Sequence, residues 1–259
     1  MDWFTNPKQN EVKKLITQLA DASRRNAAAQ ELIRLGADSA APLIDALQTQ
    51  DLNLLAIYQQ ILARIPAASP ELTKALKSAH PIIRGRVAEV FGLNKDKTAI
   101  PALIEALHGE FFTVRARAAL ALANIGDRLV ISQLLPLLKD QEDEVRMAVC
   151  MALGIFKDPS TFDELANVTL DDPIIEVRQA AVKALGDSKN PAAIPFLMEA
   201  LRDSFWWFER EQSVRVLMNA IEGMGSPVVE PLIEALADRE GTVRKLAAKM
   251  LGNLRDVRA

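Results

Sequence analysis

The sequence contains few of the residues that catalysis and metal binding use. Its 259 residues include two histidines, His80 and His108, and neither belongs to a His-Glu pair of the kind that binds a di-iron centre. No Cys/His cluster has the spacing of a zinc site, and no P-loop or Ser-His-Asp pattern is present. The residue inventory therefore favours a non-catalytic protein, and it predicts no catalytic residue and no metal site.

Cysteine and positive charge are also scarce. Cys150 is the single cysteine, so an internal disulfide framework is excluded and a reducing compartment fits the sequence. The net charge of −3 and the isoelectric point of about 5.6 differ from the strongly basic balance of duplex-binding proteins. Because the sequence shows no signal-peptide pattern and no apolar run as long as a membrane span, we expect a cytoplasmic protein with no nucleic-acid partner.

Aromatic residues make up only 5% of the chain, whereas apolar residues make up 49% and alanine and leucine are abundant. This composition favours helices over a β-sandwich or a β-barrel. The chain also repeats itself, because a hydrophobic residue followed by arginine recurs along it. The separations are 31, 31, 32 and 66 residues, the last covering two repeats, between Arg84, Arg115, Arg146, Arg178 and Arg244.

Each repeat consists of an apolar helix that ends in leucine, a polar turn, the hydrophobic-Arg pair and an Ala-rich helix that closes near glycine. Such a helical hairpin cannot bury its own apolar face, so successive hairpins must stack. The sequence therefore predicts an all-α fold, a single right-handed α-solenoid over residues 1–259 with about eight hairpins and no β-sheet. The predicted repeats span residues 11–36, 37–66, 67–94, 96–127, 128–158, 159–188, 189–226 and 227–259.

The fourth repeat carries a recognisable pattern, IPALIEAL at 100–107 followed by VRARAALALANIGD at 114–127. This pattern resembles the HEAT-like repeat of cyanobacterial phycobilisome lyases and phycobilisome-degradation proteins. The resemblance covers nearly the whole chain and implies a HEAT-like α-solenoid whose second helices line the concave surface. The HEAT-repeat di-iron hydroxylase is excluded by the missing His-Glu pairs.

The resemblance implies three possible functions. The first is a non-catalytic scaffold that binds a protein partner, namely a phycobiliprotein, another phycobilisome component or a second HEAT-like chain. The second is one subunit of a bilin lyase that attaches or detaches a phycobilin chromophore, which would make phycobilin a possible cofactor. The third is a HEAT-like DNA glycosylase, which the missing basic face disfavours.

The repeated arginines have candidate partners in the turns. An aspartate lies two residues after the first-helix leucine in five repeats, at Asp21, Asp140, Asp172, Asp203 and Asp238. A turn aspartate can form an ion pair with an arginine of its own or a neighbouring repeat. We therefore expect Arg115, Arg146 and Arg178 to stabilise the stack rather than to bind a ligand.

The second helices suggest a binding surface. If the hydrophobic residue before arginine is position 0, positions 0, 4, 7, 8 and 11 form the core face and positions 2, 6 and 9 are expected to point outward. These outward positions are polar or small in most repeats, but the fourth and fifth repeats place Leu120, Met147 and Met151 there. We predict that these three residues form an apolar partner-binding patch on the concave surface. The alternative is that the fold covers them.

The seventh repeat contains an insertion of about five residues within DSFWWFEREQ, residues 203–212. Trp206 and Trp207 lie in this insertion. Either the aromatic residues pack onto the core, or at least one tryptophan projects from the concave rim as a partner-binding platform. We include both tryptophans in the predicted binding surface. Trp3 and Phe4 are expected to cap the first repeat.

Overall fold

The computed structural model describes residues 7–203, 206 and 211–258, and no β-strand occurs among them. The helices form successive antiparallel hairpins, and the predicted all-α solenoid is confirmed. The chain divides into two compact units, Met1–Val130 and Ile131–Ala259. The single solenoid over residues 1–259 and its right-handed sense stay predictions.

The first unit contains four helical hairpins in its described residues. Its second helices, α2, α4, α6 and α8, contact one another in chain order, and the first helices α1, α3 and α5 form the neighbouring layer. The helices are α1 (Pro7–Gln18), α2 (Arg25–Leu35), α3 (Ala37–Ala46), α4 (Leu52–Ala63), α5 (Ser69–Ala75), α6 (Pro81–Asn94), α7 (Ile100–Ala106) and α8 (Phe112–Ile125).

The second unit repeats this plan. Its second helices, α10, α12, α14 and α16, again contact one another in order. The helix α9 is short because Pro136, in the 3₁₀ turn Leu135–Lys139, has no N–H to continue an α-helical ladder. The helices are α9 (Ile131–Leu134), α10 (Asp143–Phe156), α11 (Phe162–Asp171), α12 (Ile175–Asp187), α13 (Ile194–Arg202), α14 (Glu211–Glu222), α15 (Val229–Ala235) and α16 (Gly241–Leu254).

The predicted core face of the second helices is buried. Position 8 shows this in both units, because its side chain lies between the two layers of each hairpin stack. The residues at this position, each at most 5% exposed, are Leu62, Phe91, Leu122, Leu153, Leu185, Ile221 and Leu251.

The repeat register predicts that position 9 of the second helices points outward, but the structure places it against the next helix. A Cβ atom on Gly186 would lie 2.8 Å from the Cβ of Ala220, at position 7 of the next second helix. Position 9 therefore lies in the contact between consecutive second helices, where only a small residue fits. Gly186 lies within the last turn of α12. The same close pairs occur between Gly92 and Ala121 and between Gly154 and Ala184.

The predicted Arg–Asp pairs join successive hairpins of the second unit. The guanidinium of Arg146 donates from Nε to Oδ2 of Asp172 over 2.7 Å and from Nη2 to Oδ1 over 3.1 Å. Arg178 donates from Nη1 to Oδ2 of Asp203 over 2.8 Å. Both arginines also donate to turn carbonyls of their own hairpin, such as that of Asp140. These two pairs confirm the structural role expected for Arg146 and Arg178.

Candidate binding surface

The open face of the second helices is formed by positions 2, 6 and 10. On α10 these positions are Met147, Met151 and Ile155, which we call the α10 stripe. Met147 is half-buried, whereas Met151 is 49% and Ile155 47% exposed. The spacing of four residues places all three side chains on one side of the helix. The corresponding residues of α12 are polar: Gln179, Lys183 and Asp187.

Ile155 is a surface residue outside the predicted outward positions. The repeat register predicts Gly154, at position 9, on the surface, whereas the structure exposes Ile155, at position 10. A sequence signal was present, because apolar residues continue at the four-residue spacing from Met147 through Met151 to Ile155.

Leu120 lies in the first unit, whereas Met147 and Met151 lie in the second. On α8, Leu120 is half-buried and stands between Ala116 and Asn124 at positions 2 and 10. Ala123, expected to point outward, is buried at 1% exposure. The patch that would join Leu120 to Met147 and Met151 stays a prediction.

The structure corrects the placement of Trp206. Its side chain is fully buried, and no described residue accepts a hydrogen bond from its indole Nε1. A buried indole stabilises the core through its large apolar area and offers no surface to a partner. The core alternative is therefore the correct one for Trp206. Trp207, Trp3 and Phe4 lie outside the described residues.

A groove separates α14 from α16 on the open face of the second unit. Position 9 of α14 is Glu222 and position 7 of α16 is Met250, so the small pair that allows close approach elsewhere is missing. The resulting α14–α16 groove has a volume of about 610 Å³. It is lined by Val214, Arg215, Met218, Asn219, Glu222, Thr242, Lys245, Leu246, Lys249 and Asn253.

The α14–α16 groove is amphipathic, and its described lining residues include more positive than negative side chains. The described cations are Arg215, Lys245 and Lys249. The described carboxylate, Glu222, accepts a hydrogen bond from Asn253 over 2.8 Å. Such a groove suits a ligand with an apolar body and carboxylate groups. In the sequence, the groove is indicated by Glu222 and Met250, which occupy the positions that glycine and alanine occupy in other hairpins.

Potential catalytic groups do not converge in the described part of the chain. Burial raises the pKa of the Cys150 thiol to about 12, so the thiol stays protonated and acts as a small core residue. His80 and His108 are exposed and belong to different turns. Glu142, Asp143 and Glu144 cluster within 4.8 Å at the solvent-facing start of α10, where acidic side chains stabilise the helix dipole.

The HEAT-repeat family model matches residues 69–143 and 131–218, which together cover more than half of the sequence. The chain belongs to the HEAT-repeat family. No curated protein matches it significantly. No helix in the described part of this HEAT-repeat chain is both long and apolar enough to span a membrane.

Solved structures with helical-repeat folds are similar to this HEAT-repeat chain. The karyopherin Kap121p, solved with the extreme C-terminus of the phosphatase Cdc14p or with Nup53p, aligns with a TM-score of 0.59 at 15% identity. That alignment covers 98% of this chain and 34% of the karyopherin. The Escherichia coli protein YibA aligns with a TM-score of 0.52 at 21% identity over 98% of this chain and 99% of YibA. At these identities the likeness shows the fold alone.

The CpcE–CpcF complex of phycocyanin lyase from Nostoc also aligns with the HEAT-repeat chain. Its TM-score is 0.45 at 21% identity, and the alignment covers 98% of each chain.

Proposed function

We propose that this HEAT-repeat protein is a non-catalytic scaffold that binds a protein partner through the α10 stripe. The observation that supports the proposal is the pair of half-exposed apolar side chains, Met151 and Ile155, aligned on one helix. The equivalent positions of α12 carry polar side chains, so the repeat itself does not require apolar residues there.

The chemistry of the α10 stripe fits a partner contact. Methionine is flexible and polarisable, which lets one surface adapt to different apolar shapes. The stripe is flanked by Gln179 and Lys183 of α12, as the apolar centre of an interface is flanked by a polar rim. Complete burial of Met151 or Ile155 contributes about 1.5–3 kcal/mol each before the entropic cost of association.

The proposed partner is a phycobiliprotein or another phycobilisome component, and a second HEAT-like chain is the alternative. The support for this partner class is the sequence resemblance of the fourth repeat to the HEAT-like repeats of phycobilisome lyases and degradation proteins. A cytoplasmic location belongs to the same proposal, and the unpaired thiol of Cys150 suits a reducing compartment.

The test compares binding of purified phycocyanin to the wild-type protein and to Met151→Lys, using the anisotropy of the intrinsic phycocyanin fluorescence. We expect Met151→Lys to weaken binding at least about tenfold, because a charged group would replace an apolar contact. The melting temperature should change little, because Lys183 and Lys249 occupy the same position in other hairpins.

Val257→Lys is the matched control, because Val257 is a fully exposed apolar residue outside the stripe. It should bind phycocyanin like the wild type. If both variants bind equally well, the α10 stripe is not the contact surface. If the wild type does not bind phycocyanin at all, the phycobiliprotein partner is wrong.

A bilin-handling function is the second candidate, and the α14–α16 groove favours it. Phycobilins combine apolar rings with carboxylate side chains, which match the apolar Met218 and Leu246 and the cations Lys245 and Lys249. Titration with free phycocyanobilin should then shift its visible absorption band, and Lys245→Glu combined with Lys249→Glu should abolish the shift. An unchanged spectrum with the wild type would exclude this candidate.

A further inference from the structure

We propose that Arg84 forms a binding site for a carboxylate of the partner protein, supplied by an aspartate or glutamate side chain. The proposal rests on the proposed scaffold function for the identity of the partner. The Arg–Asp pairs between successive hairpins form a series that we call the Arg–Asp ladder. The site itself follows from an interruption in this ladder, where the turn position that matches Arg84 carries glycine instead of aspartate.

The intact ladder defines what such an arginine normally contacts. Arg146 uses Nε and Nη2 to hold the carboxylate of Asp172, which lies in the turn of the next hairpin, 26 residues further along the chain. Arg178 holds Asp203, 25 residues further along, through Nη1, while its Nε donates to the carbonyl of Asp172 in its own hairpin. A charge-assisted pair of this kind is short and strong because both partners are ionised.

At Arg84 the turn of the next hairpin offers no carboxylate in this position. The residue 25 positions further along is Gly109, which follows the first-helix residue Leu107 by two, as Asp140 follows Leu138. The backbone is otherwise alike, since the N–H of Gly109 donates to Ala106 over 3.2 Å and that of Asp140 donates to Leu137 over 3.1 Å. The turn has therefore kept its shape and lost its acidic side chain.

The guanidinium of Arg84 shows the consequence of this loss. Its Nε is buried and has no hydrogen-bond partner among the described residues. In Arg146 the same atom donates to the carboxylate of Asp172. A buried donor without an acceptor is unfavourable.

The Arg84 side chain lines a cavity. Its volume is about 290 Å³. Its lining includes Lys77, Arg84, Glu105, Gly109 and Phe111. The Cζ atom of Arg84 lies 4.7 Å from the centre of the Phe111 ring, a cation–π contact that holds the guanidinium in place. Arg84 is therefore pre-oriented at the wall of a space that accommodates a carboxylate.

The charges around the cavity favour a single carboxylate over a phosphate. Lys77 adds a second cation, but its Nζ lies 2.9 Å from Oε2 of Glu105, which also lines the cavity. The remaining positive charge is that of Arg84. A singly charged carboxylate matches it, whereas a dianionic phosphate would be repelled by Glu105. The ladder arginines Arg146 and Arg178 also bind carboxylates, those of Asp172 and Asp203.

The test follows the side-chain Nε–H signal of Arg84 by NMR while a blocked peptide, acetyl-Ala-Glu-Ala-amide, is added. We expect a saturable shift of this signal. The matched peptide acetyl-Ala-Gln-Ala-amide, which lacks the charge, should bind at least about tenfold more weakly. The Arg84→Gln variant lacks this Nε–H signal, and its absence from the spectrum assigns the signal to Arg84.

Gly109→Asp is the decisive variant because it restores the missing carboxylate within the chain. It should shift the Arg84 signal without any peptide, abolish the response to the glutamate peptide and raise the melting temperature by about 2–4 °C. Gly109→Ala adds the same Cβ, 3.3 Å from the carbonyl oxygen of Ala106, without the carboxylate. This control should bind the glutamate peptide like the wild type.

Three results would overturn the proposal. The first is an Arg84 signal that does not respond to the glutamate peptide. The second is a response to sodium acetate but not to the peptide, which would show a site for small free anions only. The third is a peptide response that survives in Gly109→Asp. Loss of phycocyanin binding in Met151→Lys is measured separately, so failure of the Arg84 site is distinguishable from failure of the scaffold function.

Discussion

The Arg146–Asp172 pair gives the sharpest test of how the hairpins are held together. The side chains of Arg146 and Asp172 are 11% and 5% exposed, so Arg146→Met leaves an uncompensated carboxylate in the interior. Removing one partner of a buried ion pair costs about 3–5 kcal/mol. Methionine replaces the aliphatic part of the arginine side chain, so most of this loss reflects the missing charge and hydrogen bonds.

Urea unfolding followed by circular dichroism measures the loss, and Arg202→Met is the matched control. Arg202, at the end of the first helix α13, pairs with Asp238 over 2.8 Å, but the Arg202 side chain is 49% exposed. An exposed pair contributes about 1 kcal/mol or less. A double-mutant cycle with Asp172→Asn isolates the coupling, which should reach at least about 1 kcal/mol. If Arg146→Met and Arg202→Met lower the free energy of unfolding equally, burial does not determine how much an Arg–Asp pair contributes to stability.

Two further predictions test the packing of the second helices. Gly186→Ala should lower the free energy of unfolding by about 1–3 kcal/mol, because its new Cβ would lie 2.8 Å from that of Ala220. The control Gly252→Ala, whose new Cβ would have no neighbouring atom within 4 Å, should raise the free energy of unfolding by up to about 1 kcal/mol. Equal effects of the two variants in urea unfolding would refute the close-contact explanation. Cys150, whose pKa is raised to about 12 by burial, should resist a thiol reagent at about pH 8 until urea unfolds the protein, and rapid labelling of the folded protein would contradict its assignment to the core.

The ladder was predictable because its parts recur in the sequence. The hydrophobic-Arg pair and the turn aspartate appear in several repeats at constant spacing, so a contact such as Arg146–Asp172 follows once the hairpins stack. The exception at Arg84 was also visible as glycine in an aspartate position. That its Nε is buried and its side chain lines a cavity depends on the packing of two hairpins, and only the structure shows it.

The α10 stripe was predictable in part. Exposure of Met151 follows from its register on an amphipathic helix, and the structure places the residue at 49% exposure. Ile155 does not follow from the repeat register, because the register predicts position 9 at the surface and Ile155 occupies position 10. Trp206 was undecided from the sequence, because an insertion has no repeat register from which the direction of a side chain can be inferred.

The sequence by itself determined the helical hairpins, their order and the residues that face the core, because these depend on the 3.6-residue period and on capping within one segment. The tertiary structure decided which parts of each second helix remain open. Gly186 admits Ala220 in the contact between α12 and α14, whereas Glu222 and Met250 occupy the corresponding positions of α14 and α16, where a groove lies between the helices. Side-chain volumes from distant segments meet only in the folded stack, so their fit cannot be read from either segment alone.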